Sequence, residues 1–133
     1  MYTNYNMETL YKKQVLIVDT IGLLTKLYQY AKVAYIGGAM GSTGLHNTLE
    51  AAVFGVPIII GKNYDRFPEA KAMLALGGLV SVQDASSFKK SLDAFVEDEN
   101  FIHACGQKNK AYVDKNKGAT ALITEKIQAM LTV

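Results

Sequence analysis

Cysteine is nearly absent from this chain. A single one, Cys105, stands among 133 residues, so no internal disulfide can form and a reducing compartment is the natural setting. Its helical spacing from Phe101 and Ile102 predicts a buried structural thiol; a nucleophilic cysteine needs a base beside it, and the sequence places none there. Long apolar runs are lacking as well. None approaches the roughly 20 residues that span a bilayer, and the polar start, Met1 to Asn6, has no apolar stretch of the signal-peptide kind. A soluble, cytoplasmic chain is expected. An excess of one charge is also missing: 14 Lys plus Arg face 12 Asp plus Glu, a net +2, which argues against nucleic acid as a partner. The densest basic stretch, Lys108, Lys110, Lys115 and Lys117, is interrupted by Asn, Ala, Tyr and Asp and reads as a solvated helix face. Internal repeats, low-complexity segments and proline-rich linkers are absent, so one domain is expected. Half of the residues are apolar, enough for a core that buries roughly two-thirds of the unfolded surface.

What is present is an alternation. Four short apolar runs, Val15–Val18, Val33–Ile36, Pro57–Ile60 and Leu79–Val82, are continuous rather than alternating with polar residues. That pattern suits parallel strands covered on both faces. Helical periodicities fill the gaps: Leu23, Leu24, Leu27, Tyr28 and Ala31; then Leu49, Ala52 and Val53; then Ala70, Met73 and Leu74. Strands alternating with helices predict right-handed βαβ units and an α/β fold, a Rossmann-like parallel sheet of about four strands. The last third is helical. Phe88, Leu92, Phe95 and Val96 form one stripe, with Asp84 or Ser86 as its cap. Phe101, Ile102, Cys105, Tyr112 and Val113 form a second, and Ile123, Ile127, Met130 and Leu131 a third, entered at Gly118. These helices are expected to pack on the sheet or on a neighbouring domain. Doubly wound nucleotide-binding sheets usually have more strands than four, so either the sheet is small or the chain is part of a larger protein.

The informative segment runs from Gly37 through Gly38, Gly41 and Gly44 to His46-Asn47-Thr48-Leu49-Glu50-Ala51-Ala52. It follows a strand and precedes a helix, the context a phosphate-binding loop requires. Glycines allow positive φ and close approach of backbone to ligand. A helix beginning near His46 would turn unpaired N–H groups toward an anion. Gly22 and Gly61 fall at the same carboxyl edge of the sheet, where ligands of open α/β sheets bind. Glu50, near the start of that helix, can accept hydrogen bonds from both hydroxyls of a ribose; alone, it would be an acid favouring the helix dipole by ~0.3–1 kcal/mol. His46 and Asn47 are donors where a phosphate or sugar carboxylate would sit, though Asn is also a common cap. The dinucleotide fingerprint is absent, as is the lysine of a Walker loop. The two histidines, His46 and His103, are far apart, no metal-ligand cluster is evident, and no cofactor is implied.

Gly37-Gly38, then Gly44, His46-Asn47 and Leu49-Glu50-Ala51-Ala52, then Gly55, Pro57-Ile58-Ile59-Ile60-Gly61, resemble the C-terminal domain of bacterial Kdo (3-deoxy-D-manno-octulosonic acid) transferases. The block Asp19-Thr20-Ile21-Gly22, with Leu27-Tyr28 and Ala31, resembles the same family, so the likeness covers Val15 to about Gly78. Two positions depart from the family's pattern: Leu23, where an acidic residue is common, and Leu45, where a glycine is. The resemblance implies a GT-B architecture, two Rossmann-like domains with the active site between them, of which residues 1–133 are part of the C-terminal, nucleotide-sugar-binding one. It implies CMP-Kdo as donor, with Gly22, Gly38 and Gly44 about the nucleotide, His46, Asn47 and Thr48 at its phosphate, and Glu50 on its ribose. It implies a lipid A precursor as acceptor, reached through an N-terminal domain that carries the glutamate base. It further implies work at the cytoplasmic face of the inner membrane, in lipopolysaccharide biosynthesis. No catalytic residue falls within the chain, which is expected to be inactive alone and, as a truncated sheet, to self-associate. Two alternatives stay open: another GT-B enzyme, a UDP-sugar transferase or epimerase, or a non-catalytic α/β binding module.

Overall fold

The computed structural model describes residues 11–131; the reading of Met1 to Asn6 lies outside them. Three of the four apolar runs form strands: β1 (Ala34–Ile36), β2 (Ile58–Ile60) and β3 (Leu79–Ser81). They make one parallel sheet in the order β1-β2-β3, with Ala34 beside Ile58 and Ile58 beside Leu79. Each strand is nested inside its predicted run. Pro57 has no N–H to donate but its carbonyl accepts from Ala34 (3.0 Å), so pairing starts where the proline ends.

The expected fourth strand is corrected. Val15–Val18 takes no strand conformation, and Val15 and Ile17 are 77% and 60% exposed. Apolar composition prepares a segment for burial, but a strand exists only when a neighbour takes its hydrogen bonds. Among the described residues β1 pairs with β2 alone.

The helices fall as alternation requires. After α1 (Leu24–Leu27) and a 3-10 turn (Tyr28–Tyr30) comes β1; α2 (Leu49–Ala52) joins β1 to β2, and α3 (Pro68–Leu76) joins β2 to β3. Then follow α4 (Ala85–Glu97), α5 (Glu99–Asn116) and α6 (Ala119–Leu131). Asp84, not Ser86, caps α4: its carboxylate accepts from the Ser87 amide (2.8 Å) while the Ser87 hydroxyl accepts from the Asp84 amide (3.0 Å).

Successive strand residues point to opposite faces, and both faces are covered. Ala34, Ile36, Ile58, Ile60 and Leu79 pack with Ala51, Ala52, Ala70 and Met73 of α2 and α3. Ile59 and Val82 pack with Phe95 of α4 and Cys105 of α5. Ile58, Ile59 and Ile60 are wholly buried, each contributing about 1.5–3 kcal/mol by leaving water. The expected faces hold for Ala52, Ala70 and Met73 but not for Leu49, Val53 or Val96, which stay exposed while Ala51 goes inside. The third stripe differs more: Ile123, Ile127, Met130 and Leu131 of α6 are all exposed.

One helix fixes which edge of the sheet is closed. Near its middle, α5 presents Gly106 and Asn109, both buried. A Cβ at Gly106 would stand 1.9 Å from the Gly55 carbonyl oxygen, so only glycine permits that approach. The Asn109 side-chain N–H group donates to Val56 O (2.8 Å) and Gly78 O (2.7 Å), the carbonyls that precede β2 and β3. The amino edge is therefore sealed, and the carboxyl edge is left to loops.

Candidate nucleotide-binding site

The loop from β1 to α2 is shaped by its glycines. Gly38 has φ +93, and a Cβ there would lie 1.9 Å from Gly44 O; Gly44 itself has φ +93. The loop folds back so that the His46 amide donates to Gly37 O (3.1 Å). It is stapled to the segment after β2, where Asn63 donates through its backbone to Ala39 O (2.8 Å) and through its side chain to Gly41 O (2.9 Å). The Ser81 hydroxyl donates to Gly61 O (3.1 Å), tying in the end of β3. The carboxyl ends of all three strands are thus held together, as a crevice at this edge requires.

A cavity of about 570 Å³ opens beside β1, lined by Tyr28, Gly37, His46, Asn47 and Glu50 together with Val33–Ile36. Asn47 organises its polar end. Its Oδ1 accepts from the Leu49 amide (3.0 Å) and its Nδ2 donates to Glu50 Oε1 (3.1 Å), which leaves Glu50 Oε2 without a hydrogen bond among the described residues. Tyr28, across the cavity, has its hydroxyl pKa raised, first by burial and then by the charge of Glu50. Sequence periodicity marks Tyr28 only as part of an apolar helix face. Its phenol gives it a second use, since tyrosine can pack through its ring and bond through its tip.

The predicted site residues divide. Glu50, Asn47 and His46 meet in this cavity. Gly44 lines a second cavity, of about 610 Å³, with Ser42, Thr43, Asn63, Asp65 and Arg66. Gly38 sits under the loop and shapes it. Thr48 is fully buried, its hydroxyl unpartnered among the described residues, and Gly22 is an exposed turn glycine with φ +84 and nothing near it. The helix expected near His46 begins at Leu49 and spans only four residues. Its first amide is already taken by Asn47, so its dipole is a minor source of positive potential. The shift has a local cause: the Asn47 side chain accepts from the Leu49 amide in an Asx turn, so the helix starts beyond it, with Thr48 as an N-cap whose own side chain makes no capping bond.

Among the described residues no three His, Cys, Asp or Glu side chains gather as a metal site, and no helix is long and apolar enough to cross a membrane. Cys105 is buried, and burial raises its thiol pKa, against a weaker lowering by Lys108. It is inert packing.

This three-stranded parallel sheet, covered on both faces and open at its carboxyl edge over a glycine-rich loop, matches part of the C-terminal-domain fold of GT-B glycosyltransferases. The crystal structure of the C-terminal CMP-Kdo binding domain of WaaA from Acinetobacter baumannii superposes on it with a TM-score of 0.69 at 23% identity, over 76% of this chain and 53% of that one. The chain is a relative of the 3-deoxy-D-manno-octulosonic acid transferases. It is 28% identical to that of Haemophilus influenzae over 120 residues, covering 89% of this chain and 28% of the relative. It is 30% identical to that of Chlamydophila psittaci over 120 residues, covering 90% and 26%. The chain thus spans about a quarter of the length of these relatives. No protein-family profile matches it.

Proposed function

We propose that these residues are the donor-binding part of a Kdo transferase, holding CMP-Kdo for transfer of Kdo to a lipid A precursor in lipopolysaccharide biosynthesis. One observation carries this reading: Glu50, Asn47 and His46 converge on a single cavity at the carboxyl edge of the sheet. Their order in sequence is the one that carries the resemblance to this family. Glu50 is already oriented by Asn47, and its open oxygen accepts from a ribose hydroxyl. The His46 ring donates to the phosphate.

The chain's share of the reaction is positional and electrostatic. The acceptor oxygen attacks the anomeric carbon of Kdo from the face opposite CMP, the bond from that carbon to the phosphate oxygen breaks, and CMP leaves. Donors on the loop meet the charge that grows on the leaving phosphate. The acceptor's proton goes to a base in a second domain outside these residues, which also carries the acceptor surface. Alone, the chain transfers no sugar. The whole enzyme works at the cytoplasmic face of the inner membrane. The exposed apolar side chains of α6 and of residues 15–21 give the isolated chain a surface for self-association; a dimer or larger species is expected by light scattering, and a monomer would count against this.

A calorimetric titration with CMP, UMP and UDP tests the site. CMP is expected to bind best in the wild type, with Glu50→Ala weakening it about 10-fold or more while the circular dichroism spectrum stays unchanged. A preference for UDP would overturn the Kdo reading, and loss of folding in Glu50→Ala would make Glu50 a structural acid instead.

A further inference from the structure

We propose that the cavity of about 610 Å³ on the far side of the glycine loop is an oxyanion subsite with Arg66 as its cationic anchor. This rests on the donor-binding reading above and extends it. Arg66 is the only arginine in the chain. It is exposed on the cavity wall and has neither hydrogen bond nor ion pair among the described residues. A guanidinium offers five donors in a rigid fork that matches carboxylate and phosphate oxygens two at a time. The hydroxyls of Ser42 and Thr43 line the same cavity; that of Thr43 makes only a long contact, 3.5 Å, to Gly38 O.

The wall carrying these groups is built rather than loose. Asn63 staples it to Gly41, and the Phe67 ring lies against Gly44. The same loop is the partition between the two cavities: Gly37, His46 and Asn47 face the first, Gly41 to Gly44 face the second, and the buried Leu45 stands between. A ligand whose ribose is held at Glu50 can pass over this partition and set its charged end against Arg66.

Asp65 is the opposing fact. It lines the same cavity and forms no ion pair with Arg66. An anion bound there is repelled by it, so its removal is expected to tighten anion binding, whereas a cationic or purely hydroxylic ligand would bind no better or more weakly without it. That sign gives the proposal an independent check.

Two oxyanions of a nucleotide-activated acidic sugar share this chemistry, the phosphate and the sugar carboxylate. Calorimetric titrations of the chain with CMP, cytidine and free Kdo separate them. In Arg66→Gln, a loss of CMP affinity of ~10–100-fold with cytidine unchanged assigns the subsite to phosphate. A comparable loss for Kdo with CMP unchanged assigns it to carboxylate. Arg66→Lys is expected to recover part of either loss, and Asp65→Asn to tighten the same anion severalfold. If wild type binds CMP and Arg66→Gln binds both CMP and Kdo as wild type does, the subsite is overturned while the Glu50 site stands. An equal fall for cytidine and CMP would also overturn it, by showing a general disturbance of the loop. A wild-type chain that binds neither CMP nor Kdo overturns both readings.

Discussion

The two edges of the sheet use the same contact for different ends. At the amino edge, a Cβ at Gly106 would stand 1.9 Å from Gly55 O; at the carboxyl edge, a Cβ at Gly38 would stand 1.9 Å from Gly44 O. The first contact seats an 18-residue helix against the sheet, beside an asparagine that satisfies two buried carbonyls. The second only folds a loop whose far surfaces line two cavities. The difference teaches that a glycine's steric necessity does not reveal its purpose. What it brings together does: at one edge two elements of the core, at the other the wall of a ligand crevice.

The sealed edge is the more vulnerable of the two. Gly106→Ala must push α5 off the Gly55 turn, and Asn109→Ala leaves the Val56 carbonyl buried without its donor. Each is expected to cost about 1–3 kcal/mol, a large share of the ~5–15 kcal/mol that holds a domain folded. Urea denaturation monitored by circular dichroism checks this. A midpoint within error of wild type for either variant would mean that α5 is not what closes the amino edge.

Gly38→Ala sharpens the same comparison with a smaller effect on folding. Its clash is as severe, and its φ of +93 disfavours any side chain, but the strain falls on a loop that can move without opening the core. The expected result is a modest fall in melting temperature with a loss of CMP affinity of ~10-fold or more, since the loop also carries His46 and Asn47. Nucleotide affinity that survives while stability collapses would reverse the assignment of the two edges.

The range of each interaction decides which features the sequence makes legible. β2 was readable from Pro57–Ile60 because a strand buried on both faces needs apolar side chains in either direction, whatever its neighbours. Val15–Val18 is as apolar and forms no strand, because strand pairing depends on a partner elsewhere in space. The convergence of His46, Asn47 and Glu50 was local enough to read from spacing. Arg66 was not: it lies sixteen positions beyond Glu50 in sequence, and the bonds from Asn63 to Ala39 and Gly41, with Phe67 against Gly44, bring its loop to the glycine segment. The seal at Asn109 was equally hidden, since its partners lie 53 and 31 residues away.

The smallest expected effect concerns the carboxyl edge without its ligand. Asp84 starts α4 and faces a third, apolar cavity with Tyr35, Met40 and Phe88, apart from the two described above. Its pKa is lowered, first by the Ser87 amide and then by the Ser87 hydroxyl, with a minor part from Lys62. Because the folded form holds the proton less tightly than the unfolded chain, the cap stabilises fully above the ordinary aspartate range, near pH ~4, and its contribution is lost as pH falls through the lowered folded value. Thermal melts of wild type and Asp84→Ala from pH 6 to pH 2 should therefore show a gap of a few degrees that is widest at pH 6 and narrows toward pH 2. A gap that persists unchanged to the acid end would mean that neutral hydrogen bonding, not the carboxylate charge, makes the cap. CMP affinity at pH 6 should be the same in both proteins. A difference would bring Asp84 into the binding crevice and blur the line between what holds this edge together and what it holds.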